Sequence, residues 1–239
     1  METLRIVDIA ELSVTDVESL FDEILARSFR SAELESRATV LAALTADNPI
    51  PGGLVAMDPT GLIVGTIIGD WFGNCRVMLI SYLAVRPEFR GCGVGKLLLA
   101  HAFALWRERF APALILGEVE DPRYYREHDA LGFGDADARL RLYGGLGARI
   151  LPIPYFQPAL SRQQPRVRNL LLMVFEADPS AMKGDNAVDG EIVGGFIDEN
   201  IARSEGRADD HEAESLREAL RDNSGIPLVS PADYLKSQR

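Results

Sequence analysis

The stretch Leu83-Ala84-Val85-Arg86-Pro87-Glu88-Phe89-Arg90-Gly91-Cys92-Gly93-Val94-Gly95-Lys96-Leu97-Leu98 decides the fold. It leaves an apolar strand-like run, Val77 to Val85, and enters a helical pattern through a glycine loop. Glycines 91, 93 and 95 carry no Cβ, so successive backbone N–H groups can converge on one anion, aided by the positive end of the helix that follows. Arg90 and Lys96 flank the loop and add formal charge. The inference is a diphosphate or similar anion at this helix start. A tight strand-to-helix turn without a ligand is the plainer alternative.

Two common phosphate loops do not fit. A P-loop needs a glycine where Arg90 stands and a Ser or Thr where Leu97 stands. The dinucleotide fingerprint needs a third glycine where Lys96 stands, and a strand early in a βαβ unit. The stretch instead closely resembles the central motif of the GNAT superfamily of acyl-CoA-dependent N-acyltransferases. The core of that motif is Arg or Gln, two residues, Gly, one residue, then Gly or Ala, met here by Arg90, Gly93 and Gly95.

The chain outward from the motif is similar to that family in its order of elements. Leu4 to Ala10 reads as a strand, and Thr15-Asp16 opens a helix with Val17, Leu20, Phe21, Ile24 and Leu25 on one face. A second helix is expected over 32–46, before the breaker cluster Asn48-Pro49-Ile50-Pro51-Gly52-Gly53. Two strands, 54–57 and 62–70, flank the turn Asp58-Pro59-Thr60-Gly61. Past the glycine loop, Val94, Leu97, Leu98, His101, Ala102, Leu105 and Trp106 mark one buried helical face, His101 reading as packing. A strand over 113–119, an irregular charged region to Gly134, a helix over 136–145 and strands over 149–156 and 167–175 follow. The resemblance implies a mixed, mostly antiparallel α/β (α+β) sheet flanked by helices, spanning most of Leu4 to Phe175.

Beyond Glu176 the composition turns acidic and small, with Ile192, Val193, Phe196, Ile197 and Ile201 able to line one helix and Leu216 and Leu220 another. The division is therefore a catalytic domain over 1–176 and a C-terminal extension over 177–239. The extension is expected to be mostly helical and docked, to mediate homodimer contacts, or to be partly disordered.

Composition narrows the function classes. A formal net charge of −11 argues against a general nucleic-acid binder and is compatible with cationic small molecules or basic peptides as partners, or simply with solubility. Cys75 and Cys92 lack metal-ligand spacing, so neither a metal nor a disulfide framework is expected. Met1-Glu2-Thr3-Leu4-Arg5 has no signal-peptide character, and no uncharged apolar run reaches membrane length. The expected compartment is the cytoplasm.

The resemblance implies acetyl-CoA, or another acyl-CoA, as co-substrate. Backbone groups of Leu83, Ala84 and Val85 would pair with the pantetheine arm, and Arg90, Gly91, Cys92, Gly93, Val94, Gly95 and Lys96 would hold the pyrophosphate. Acyl transfer to an amine needs a base for the nucleophile, oxyanion stabilisation and a proton for the thiolate. The backbone at Val85 or its neighbour is the oxyanion candidate by resemblance. Tyr143, in Leu142-Tyr143-Gly144-Gly145-Leu146-Gly147-Ala148, matches the spacing of the family's proton-donating tyrosine; Tyr125, ahead of Leu131-Gly132-Phe133, competes with it. Many relatives carry a Glu near the position of Leu79, so the base must lie elsewhere. Glu118 and Glu120 share a strand face by the period of two and are the candidates, with a solvated strand end as the alternative. His128, a loop histidine, could be base, substrate contact or surface residue, the last being commonest for a loop position. Cys92 is kept as a small loop residue, since the family transfers the acyl group directly within a ternary complex.

Tyr155 and Phe156, in a Pro-rich segment, could contact the acceptor, a primary amine of a small molecule or peptide. Arg162, Arg166 and Arg168 could meet an acceptor carboxylate or the CoA 3′-phosphate, or be solvated loop charges. A non-catalytic acyl-CoA-binding or regulatory module and an enzyme using a longer acyl chain are the competing classes.

Overall fold

The computed structural model describes residues 3–46, 52–125, 135–161, 163–206, 209–221 and 225–237. His128, Arg162 and the Leu131-Gly132-Phe133 stretch lie outside the described residues. Seven strands form one mixed, mostly antiparallel sheet in the order β1-β2-β3-β4-β5-β7-β6, flanked by helices. They are β1 (Arg5–Asp8), β2 (Leu54–Met57), β3 (Ile63–Phe72), β4 (Val77–Val85), β5 (Leu114–Glu120), β6 (Arg149–Leu151) and β7 (Leu170–Ala177). The chain divides into two compact units, Met1–Trp71 with Ile80–Ala111, and Phe72–Leu79 with Pro112–Arg239. Residues on both sides of the boundary expected near Glu176 thus fall in one unit.

In the first unit, α1 (Val14–Leu20) runs through a π-type turn at Phe21–Leu25 into the short α2 (Ala26–Ser28). The expected apolar face of Val17, Leu20, Phe21, Ile24 and Leu25 is buried with Val55, Ile68 and Tyr82 of the strands. Helix α3 covers Arg37–Leu44, shorter than the expected 32–46, because the Ser36 side chain accepts from Thr39 N–H and fixes the start there. The long helix α4 (Val94–Phe110) buries Val94, Leu98, Leu99, Ala102 and Trp106. Trp106 Nε1 donates to the Gly52 carbonyl at 3.1 Å. Gly65 of β3 permits close packing here, since a Cβ would lie 2.9 Å from the Ala84 carbonyl oxygen and 3.1 Å from Val94. His101 corrects the expected pattern: the buried face runs through Leu98 and Ala102, leaving His101 exposed with Nδ1 2.9 Å from the Leu97 carbonyl oxygen.

In the second unit, β7 pairs antiparallel with both β5 and β6. Strand β6 stops at Leu151, short of the expected Phe156, because Pro152 and Pro154 remove ladder donors. Helix α5 (Ala136–Gly145) lies between β5 and β6 in the chain. Helices α6 (Gly190–Glu205), α7 (His211–Ala219) and α8 (Pro231–Lys236), with the small β8–β9 pair (Ala187–Val188 and Ile226–Pro227), make up the C-terminal segment. It shares this unit's core: Phe196 of α6 meets Phe72 edge-on at 4.9 Å, and Val193, Ile197, Ala213 and Leu216 are buried. Among the described residues, no helix is long and apolar enough to cross a membrane.

Candidate active site

The glycine loop stands at the end of β4, where Leu83 and Val85 are half-buried and Ala84 is buried. Arg90 turns back on the strand, its Nε donating to the Val85 carbonyl at 3.3 Å. Gly91 and Gly93 have φ of +75° and +84°, a left-handed geometry that costs an L-residue energy. A Cβ at either would meet nothing within 4 Å, so backbone conformation, not crowding, calls for glycine. Gly91, Cys92, Gly93 and Lys96 are exposed.

Helix α4 starts at Gly93 without a side-chain cap. Helices α1, α3, α5, α6, α7 and α8 all start on a Ser or Asp whose side chain accepts an N–H of the first turn. The first turn of α4 therefore keeps N–H donors and the positive end of its dipole available to an external anion. This backbone fits a pyrophosphate, and Lys96 in the first turn adds charge.

In the second unit three acidic residues, Glu118, Glu120 and Asp121, cluster at the end of β5, and each is held differently. Glu118 is half-buried and accepts a hydrogen bond from the Tyr155 hydroxyl. Glu120 is 5 % exposed and 3.2 Å from Arg139 Nη1 of α5. Asp121 is 2 % exposed, accepts from Arg123 Nε at 2.7 Å, and accepts from the Tyr234 hydroxyl of α8 at 2.8 Å. Glu120 and Asp121 are thus buried beside guanidinium groups, whereas Glu118 is half-buried under a tyrosine hydroxyl.

The tyrosines separate in the same way. Tyr143 lies in α5 with its ring edge-on to Phe175 at 5.0 Å, and burial pushes its hydroxyl pKa up, so it is protonated at neutral pH. Tyr125 uses its hydroxyl on the Arg168 carbonyl at 3.0 Å. Tyr155 and Phe156, expected at the acceptor, are 5 % and 3 % exposed. Phe156 lies under Arg166, whose guanidinium carbon is 4.3 Å from the ring centroid. Arg166 is turned inward on Glu205 at 2.7 Å, Asp210 at 2.6 Å and Glu212 at 3.1 Å. Arg168 pairs with Glu212 at 2.6 Å. These two arginines thus spend their charge on acids of the C-terminal segment, in place of the open phosphate or carboxylate contacts that were the other expectation. The sequence offered no sign of Asn200, whose side chain also bonds the Tyr155 hydroxyl.

Residues 51–133 match the family model described as acetyltransferase (GNAT) domain. That match spans about a third of the chain and includes the glycine loop. No curated protein matches the sequence. Among solved structures, one titled a putative acetyltransferase of the GNAT family from Bacteroides thetaiotaomicron is 20% identical, with a TM-score of 0.52 over 74% of this chain and 89% of that one. Diaminobutyrate acetyltransferase EctA from Paenibacillus lautus is 14% identical, with a TM-score of 0.51 over 74% and 99%. The GphF GNAT-like decarboxylase, solved with isobutyryl-CoA, is 19% identical, with a TM-score of 0.50 over 72% and 98%. These likenesses establish the GNAT fold. Acetyltransferases and a decarboxylase share this fold, so the fold alone does not fix the chemistry.

Proposed function

We propose that this chain is an acyl-CoA-dependent N-acyltransferase that moves an acetyl group from acetyl-CoA to a primary amine of a small molecule or peptide. The observation that carries this reading is the uncapped glycine start of α4, inside the segment that matches the acetyltransferase domain. The amides of Gly91 to Lys96 hold the pyrophosphate, and the edge of β4 at Leu83, Ala84 and Val85 takes the pantetheine arm. Acyl-CoA supplies the thioester carbonyl that the amine attacks.

In this reading the amine proton passes to the Glu118 carboxylate. The nitrogen forms the amide bond as the carbon–sulfur bond breaks, and the departing thiolate takes the hydroxyl proton of Tyr143. Glu118 is favoured over Glu120 because only Glu118 is partly open to solvent. Tyr143 is favoured over Tyr125 because the Tyr125 hydroxyl is engaged on a backbone carbonyl. Release of free thiol from acetyl-CoA, followed across a library of amines, tests the reading. Amine-dependent release that is lost in Glu118→Gln supports it; acetyl-CoA binding with no release by any amine would favour a binding module.

A further inference from the structure

Glu118, Tyr155 and Asn200 come from a strand, a post-strand segment and the C-terminal helix α6, yet they form one hydrogen-bonded chain. Tyr155 is almost fully enclosed, and its hydroxyl donates to Glu118 Oε1. A phenol has one proton to donate and lone pairs to accept with, so the Asn200 bond to the same oxygen is made by the amide N–H₂ as donor. Burial and the neighbouring Glu118 charge raise the Tyr155 pKa far above its ordinary value. The hydroxyl therefore stays protonated at every working pH, and it is a permanent donor to the carboxylate rather than a proton carrier.

From this arrangement we propose that Tyr155 and Asn200 are positioning residues for Glu118, and that helix α6 is therefore part of the catalytic apparatus rather than an appendage. This rests on the reading of Glu118 as the base. The donated bond fixes the carboxylate in one rotamer and favours its charged form, which is the form that accepts the amine proton. Asn200 in turn fixes the direction of the phenol proton, since a hydroxyl otherwise rotates among acceptors. The other charged groups at this strand end, Glu120 with Arg139 and Asp121 with Arg123, are mutually paired and buried on the acid side.

The test is the titration of the Glu118 carboxyl, read by carbon-13 NMR of protein labelled at glutamate side-chain carboxyls and assigned with Glu118→Gln. This readout needs no substrate. Tyr155→Phe should raise the Glu118 pKa by about one unit, a tenfold loss of acidity, because a hydrogen bond to the charged form is removed. Asn200→Ala should raise it by less, and the double variant should match Tyr155→Phe alone, because Asn200 acts only through the hydroxyl. In turnover, the acid limb of kcat/KM should move up by the same amount while acetyl-CoA affinity holds. An unmoved Glu118 titration in both single variants overturns the proposal, even if they are less stable to heat. Should Tyr155→Phe fail to fold, Asn200→Ala, on a half-buried residue, still decides the matter. A shifted titration together with full activity of Glu118→Gln would instead remove Glu118 as base, leaving the hydrogen-bonded chain without a catalytic role.

Discussion

Helices α4 and α6 are nearly equal in length, at 17 and 16 residues, and they begin in opposite ways. The first turn of α6 is closed by its own chain: Asp189 accepts from Glu191 N–H, and Lys183 sits 2.9 Å from the Asp189 carboxylate. The start of α4 has two left-handed glycines beside it, no side-chain cap and exposed Lys96. The contrast extends beyond these two turns. Around α6 and α7 cations are matched to anions within the fold, as in the Arg166 cluster with Glu205, Asp210 and Glu212. The self-balanced end of α6 contributes to stability, whereas the open end of α4 is the one that the proposed function assigns to a charged ligand.

The largest effect is expected where the open end is closed. Gly93→Asp sets a carboxylate at the anion position, and acetyl-CoA affinity should fall by at least about 100-fold through like-charge repulsion. Calorimetric titration measures this, and unchanged affinity would erase the distinction between the two helix starts.

Breaking the self-balanced region should instead cost stability. Arg166→Ala leaves three acids facing one another and should lower unfolding free energy by about 2 kcal/mol at neutral pH. That is less than for a fully buried pair, because Asp210 and Glu212 are substantially exposed. The Arg166 guanidinium holds the Asp210 and Glu205 carboxyls below their usual range. Their contribution is thus fully present above the unfolded values near pH 4 and is lost as pH falls through the lowered folded values. Urea denaturation of the wild type should show stability declining from about pH 5 downward, with a flatter profile in Arg166→Ala; parallel profiles would count against this.

Tyr143→Phe is expected to lower turnover about tenfold or more with acetyl-CoA affinity kept, as for loss of a general acid. Unchanged turnover returns the role to Tyr125. The smallest effect belongs to Asp189→Ala, which removes the α6 cap and should cost about 1 kcal/mol of stability, read by thermal or urea unfolding. Acetyl-CoA affinity should not move, in direct contrast with Gly93→Asp.

What was legible in the sequence follows the same division. The glycine loop, the apolar face of α1 and the starts of α4 and α5 are set by residues within a few positions of one another, and spacing alone places them. Glu118 was legible as a strand-end acid but not as one held by Tyr155, 37 residues away, because that bond exists only once β5 and the segment after β6 are folded together. The acidic partners of Arg166 follow some 40 residues later, so no local spacing could single them out from the other acids of the extension. His101 shows a local failure: a helical period tolerant of three or four residues admits a position just off the buried face.

The most direct measurement is calorimetric titration of the purified chain with acetyl-CoA. Micromolar binding, about −8 kcal/mol, is the result this account predicts. No binding at millimolar acetyl-CoA would contradict it, because the uncapped start of α4 would then be a structural turn and not a cofactor site.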